Sequence, residues 1–194
     1  MPPTPSTMLP LGTLAIPFDL PDARGGHVSL ASMGTAKALL VMFICNHCPF
    51  VRHIREELGR IPRDYASRGL AVVGICSNDP DKYPQDNFEA MRAESLEAGW
   101  TFPYLHDADQ RVAKAYRASC TPDFFLFDAG QRLVYRGQLD DSRPTNGIAV
   151  SGRDLRAAID ATLRGEPIAG EQLPSIGCNI KWIPGREPDY ASNR

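Results

Sequence analysis

The chain has 194 residues, of which 43% are hydrophobic, 23% charged and 8% aromatic. That is enough apolar material for the core of one medium domain, and it excludes disorder as the default state. The 21 basic and 23 acidic residues leave a formal charge of -2, so the chain has no electrostatic footprint for nucleic acid or an acidic membrane, and neither partner is expected.

The opening Met1-Pro2-Pro3-Thr4-Pro5-Ser6 has neither the basic start nor the apolar stretch of a secretory leader, and its prolines favour an extended arm; a cytoplasmic address is expected. Two short apolar runs flank Gly25-Gly26 between Phe18 and Leu30, which predicts a hairpin. Residues 38–44 form a continuous apolar run, suited to a strand buried on both faces. Extended to Cys45 it is the longest such run in the chain, far below the roughly 20 residues of a membrane span.

After Cys48, apolar Val51, Ile54, Leu58 and Ile61 recur at helical spacing, with Arg52, Arg55, Glu56 and Glu57 on the other side. Pro49 suits the first turn of that helix, Pro62 is expected to kink or divide it, and Gly69 to end the segment. Residues 70–76 read as a second buried strand, residues 86–98 as a helix stopped by Gly99, and residues 102–105 as a short strand. Asp107 or Asp109 caps a helix carrying Val112, Ala115 and Tyr116. A hairpin of strands 124–127 and 132–135 follows, then an amphipathic helix over 152–164 through Leu155, Ile159 and Leu163. There is no internal repeat. The expected organisation is an arm over residues 1–10, one domain over 11–166, and an extension over 167–194 lying on the body.

The cysteines, Cys45, Cys48, Cys76, Cys120 and Cys178, number five, an odd set that fits redox or metal chemistry better than a disulfide framework. Chemistry concentrates in Phe43-Ile44-Cys45-Asn46-His47-Cys48-Pro49, where a buried strand gives way to a helix. Unpaired N–H groups of a first helical turn favour a thiolate there. Two thiols at this spacing can close a small disulfide ring, a two-electron switch. His47 either favours the thiolate or is a solvated loop histidine, and both readings stand.

The residues around this pair resemble the thioredoxin superfamily, in the branch of thioredoxin-like reductases and alkyl hydroperoxide reductase/thiol-specific antioxidant proteins. The likeness covers about residues 11–166 and is carried by the hairpin, Cys45-Asn46-His47-Cys48, Val72-Val73-Gly74-Ile75, Phe102-Pro103-Tyr104-Leu105-His106-Asp107 and Thr121-Pro122-Asp123-Phe124-Phe125-Leu126-Phe127-Asp128. It is similar to a peroxiredoxin-like group in which Gly177-Cys178-Asn179-Ile180-Lys181-Trp182 also recurs. The resemblance implies a thioredoxin-like three-layer α/β/α sandwich with a mixed central sheet, an N-terminal hairpin and a C-terminal extension. It also implies a cis Pro122 after Thr121 facing the cysteine pair, Cys45 as nucleophile and Cys48 as resolving thiol.

Against the peroxidatic motif Pro-x-x-x-Thr-x-x-Cys-Pro, Cys48-Pro49 matches, but Val41 and Cys45 stand at the proline and threonine positions. Pro122 stands where a peroxide-activating arginine is expected, with Arg136 or Arg143 as conceivable substitutes. From ordinary thioredoxin the chain departs at Ile44, in place of tryptophan, and at Asn46-His47, in place of Gly-Pro.

The expected function is thiol-disulfide exchange on a protein or small-molecule disulfide, with an external reductant and with no bound cofactor or metal required. The alternatives are an antioxidant thiol peroxidase acting through Cys48 or Cys45, and a metal-binding or chaperone-like module on the same loop. Cys120 and Cys178 are candidate further redox thiols or packing residues, and Cys76 is read as a buried inert thiol. His53 and the arginines Arg52, Arg55, Arg60 and Arg63 are expected on a solvated helix face, Trp100 and Trp182 as anchors, and the protein as a monomer or homodimer.

Overall fold

The computed structural model describes residues 3–191; residues 1 and 2 of the expected arm and 192–194 of the expected extension lie outside the described residues. In chain order it contains β1 (Thr4–Pro5), β2 (Asp19–Pro21), β3 (His27–Ser29), β4 (Ala38–Phe43), α1 (Pro49–His53), α2 (Arg55–Tyr65), β5 (Leu70–Cys76) and α3 (Phe88–Glu97). There follow β6 (Tyr104–His106), α4 (Arg111–Ala115), β7 (Cys120–Thr121), β8 (Asp123–Asp128), β9 (Leu133–Gly137), α5 (Arg153–Arg164) and β10 (Ile176–Asn179).

The central sheet runs β6-β5-β4-β8-β9, with β5 parallel to both β4 and β6, and β8 antiparallel to both β4 and β9. The unbroken apolar run of β4 is explained by its position. It lies mid-sheet, and its side chains alternate between two cores: Leu40, Met42 and Ile44 pack with Val51, Leu58, Ile61, Leu155 and Ile159, while Leu39, Val41 and Phe43 pack with Phe18, Val112, Tyr116 and Phe125. Helices on both faces of a mixed sheet make the three-layer sandwich, and each fully buried Leu, Val or Phe contributes about 1.5–3 kcal/mol to it.

Several local expectations shift. The helix after Cys48 breaks at Ile54, whose N–H turns back to the Val51 carbonyl, and not at Pro62, which sits inside α2. One missing N–H near a helix end is a small loss when Ile61 and Tyr65 on either side of it are buried. α3 begins at Phe88, capped by the Asn87 side chain on the Ala90 N–H, which leaves Asp86 in the preceding turn. The short strand lies at Tyr104–His106, two residues beyond its expected start.

The largest addition is a second sheet, β1-β10-β7, in which Cys178 pairs with Thr121, Asn179 with Cys120, and Thr4 with Gly177. Segments from the expected arm and extension thus meet beside the strand that precedes Pro122. Gly177 permits the close approach, since a Cβ there would overlap the Thr121 carbonyl oxygen.

Candidate functional site

Beyond Phe43 the chain turns through Ile44 and Cys45 to Cys48, the N-cap of α1, with Pro49 at the first helical position. Parallel pairing of β4 with β5 fixes where this loop emerges, and antiparallel pairing with β8 brings Pro122 opposite it. The Thr121-Pro122 bond is cis. Thr121 touches both sulfurs: its hydroxyl lies 3.4 Å from Cys45 Sγ, and its carbonyl accepts the Cys48 S–H at 3.1 Å. Cys45 and Cys48 are 1% and 0% exposed, and the two thiols hydrogen-bond to each other.

The loop is tied down from α3's side. Asp86, wholly buried, accepts the Asn46 and His47 N–H groups on Oδ1 (2.8 and 3.3 Å), and the His47 Nδ1–H and Asn78 amide on Oδ2. The Tyr104 hydroxyl donates to Asn46 Oδ1 at 3.0 Å, the Asn46 amide to the Gln85 carbonyl, and Arg52 Nε to the Asn46 carbonyl. The His47 ring stacks on Tyr83, 5.4 Å between centroids.

Cys178 enters this site. Its thiol hydrogen-bonds to Cys48, so Cys48 lies between two S–H donors. Those bonds, from Cys178 and then Cys45, outweigh burial and hold Cys48 well below the ordinary thiol value, with the Thr121 hydroxyl and the Val51 N–H adding to the effect. Deprotonation forfeits the bond to the Thr121 carbonyl and gains these donors. Cys45 is pushed up by its bond to Cys48, by burial and by the negative charge of Asp86. Cys178 is pushed up by its bond to Cys48 and by burial, with Lys181 acting in the opposite sense. In Asp86, burial alone would raise the carboxyl, but the bonds from His47 and Asn78 prevail and lower it. In the reduced site the surroundings thus push the Cys48 thiol down and the Cys45 thiol up.

Other expectations are redistributed. The Cys120 S–H points to the Pro122 and Ser175 carbonyls from a fully buried position. Cys76 is buried, and burial raises its thiol. His53 is half-buried, not on the surface, because Ile54 breaks the helix beside it; its Nε2 is shielded from solvent, and the ring lines a small cavity with Pro122 and Arg143. Of the helix arginines, Arg52, Arg60 and Arg63 are exposed, as expected, and Arg55 is half-buried. Besides Arg52 on the cysteine loop, Arg55 pairs with Glu94 and Glu97, Arg60 with Glu56 and Glu57, and Arg63 reaches the Gly99 carbonyl. Sequence reasoning missed Asp86, Asn78 and Tyr104. One donor atom each from Cys45, His47 and Asp86 lies within 4.8 Å of the others, the ligand types of a metal site, though an ion would displace the proton His47 shares with Asp86.

Residues 11–136 match the model of the AhpC/TSA family. The chain belongs to that family. It is 33% identical over 119 residues to a Mycobacterium tuberculosis H37Rv protein provisionally named a peroxiredoxin, an alignment covering 59% of this chain and 68% of the relative. A solved structure of a protein from Sinorhizobium meliloti 1021, described as hypothetical, is 55% identical and superposes with a TM-score of 0.92 over 94% of this chain and all of the other (100%). A thiol:disulfide interchange protein of the thioredoxin family from Chlorobium tepidum TLS, 21% identical, shares the fold alone, with a TM-score of 0.61 over 80% of this chain and 99% of that one. The chain is a peroxiredoxin-like member of the thioredoxin superfamily, within a group of redoxin oxidoreductases.

Proposed function

We propose that the protein is a thiol-disulfide oxidoreductase whose Cys45 and Cys48 cycle between dithiol and disulfide. The observation that carries this reading is the placement of both sulfurs against Thr121, one residue before the cis Pro122. The Cys48 thiolate attacks one sulfur of a slender disulfide, that S–S bond breaks and the first thiol leaves. Cys45 then loses its proton and attacks Cys48 Sγ, which releases the second thiol and leaves Cys45–Cys48 oxidised. An external thiol reductant resets the pair. This order moves the nucleophile from Cys45 to Cys48, because Cys48 gathers the S–H donors and sits at the N-terminus of α1.

A peroxidase reading draws on the same anionic Cys48 before Pro49. Against it, both candidate arginines are committed to other hydrogen bonds: Arg136 donates to the Leu9 carbonyl and Gln172, and Arg143, though near Pro122, to the Asp140 and Ser142 carbonyls and Gln138.

Stopped-flow mixing of reduced protein with an aromatic disulfide and, separately, with hydrogen peroxide separates the readings. Expected are a faster reaction with the disulfide, its loss in Cys48→Ser, and a trapped mixed disulfide when Cys45→Ser is combined with Cys178→Ser. Faster peroxide consumption, or undiminished disulfide turnover in either variant, would overturn the proposal.

A further inference from the structure

The Cys45–Cys48 pair is almost wholly shielded, so it presents no sulfur to a bulky thiol. Cys178 is different. It is half-buried on β10, across the ladder from Thr121, whose carbonyl and hydroxyl touch Cys48 and Cys45, and it packs against the buried cluster that holds both of those cysteines. The placement is structural: β10 is paired on both edges, by β1 and β7, and Gly177 lets it lie flush on Thr121.

We infer that Cys178 is a third redox thiol, which draws the disulfide out of the shielded pair and presents it to protein thiols. The inference rests on the Cys45/Cys48 cycle proposed above. In the oxidised protein, Cys178 gives up its proton and attacks Cys48 Sγ. The Cys45–Cys48 bond breaks, Cys45 leaves as thiolate and takes a proton, and Cys48–Cys178 forms with no net change in oxidation state. A protein thiol then attacks Cys178 Sγ and releases Cys48 as thiolate, and a second thiol of that partner attacks the mixed disulfide. The partner leaves as a disulfide, and all three cysteines end reduced. Oxidation of the pair favours the first step. The hydrogen bond to and charge of Cys48 that raise Cys178 in the reduced site vanish when Cys48 is in a disulfide, while the Lys181 ammonium still favours the Cys178 thiolate.

Two measurements test this. Cys45→Ser, treated with diamide, alkylated and digested, is expected to yield a Cys48–Cys178 disulfide peptide; Cys178 remaining fully alkylatable would overturn the relay. Oxidised wild type and Cys178→Ser are then re-reduced by dithiothreitol and by reduced, unfolded lysozyme. Because an oriented intramolecular thiol is replaced by a bulky external one, the variant is expected to react roughly 100-fold more slowly with lysozyme thiols, a far larger loss than it shows with dithiothreitol. Equal rates with lysozyme thiols would overturn the relay and leave the oxidoreductase reading intact. Failure of wild type to form any Cys45–Cys48 peptide would overturn both.

Discussion

Replacing Asp86 by Asn tests how the cysteine loop is held. The carboxylate is fully buried and takes four donors, two on each oxygen. Asn keeps one acceptor for the Asn46 and His47 N–H groups but turns an NH2 toward the Asn78 amide and His47 Nδ1. His47 can change tautomer and accept, whereas Asn78 is left facing a donor. One buried unsatisfied pair costs about 1–3 kcal/mol, or about 2–12 °C in Tm for a chain of this size. Losing the Asp86 charge also removes one cause of the raised Cys45 thiol, so Cys45 is expected to titrate at lower pH than in wild type. The acid limb changes too. The folded Asp86 carboxyl lies below its ordinary value, so wild type has stability that is present above the unfolded pKa and lost as pH falls through the folded one; the variant lacks that loss. Thermal melts across pH and iodoacetamide rates at Cys45, followed by peptide mass spectrometry, read all three effects. An Asn variant with unchanged Tm and an unmoved Cys45 profile would refute the assigned role of Asp86.

Gly177→Ala forces its Cβ into the Thr121 carbonyl, and is expected to cost about 1–3 kcal/mol in urea unfolding and to raise the alkylation rate of Cys178 as β10 lifts from β7. Arg156→Ala strips the near-fully buried Glu57 of its main partner, with Arg60 4.0 Å away, and should destabilise by about 3–5 kcal/mol on the same assay. Burial would raise the Asp140 carboxyl, but Ser142, Ser151 and Gly152 hold it at about 2. Its folded pKa lies below the unfolded one, so it contributes stability above pH about 4 that fades toward pH 2. Asp140→Asn is expected to flatten that part of the Tm profile between wild type and variant.

The sheet was legible because its strands carry their own signals: β4 and β5 are apolar throughout, and β8 and β9 flank a turn at Gly130. The cysteine loop was legible as chemistry at a strand-to-helix junction. β10 was not, since Ile176-Gly177-Cys178-Asn179 has neither length nor alternation, and only pairing with β1 and β7 makes it a strand. Cys178's contact with Cys48 follows from that pairing, so local pattern could not reveal it. Asp86 was hidden for another reason. It read as the start of a helix, and only the Asn87 cap leaves it in a turn facing the His47 ring. The opposite pushes on the Cys45 and Cys48 thiols likewise depend on groups that are distant in sequence, above all Cys178 and Asp86.

Equilibration of the protein in glutathione buffers of graded potential, followed by acid quenching, alkylation and peptide mapping, addresses the redox pair most directly. The account predicts a reversible two-electron transition in which the Cys45 and Cys48 peptides lose alkylation together. Persistent alkylation of both across the whole range, or irreversible oxidation of a single sulfur to sulfinic acid in its place, would contradict it.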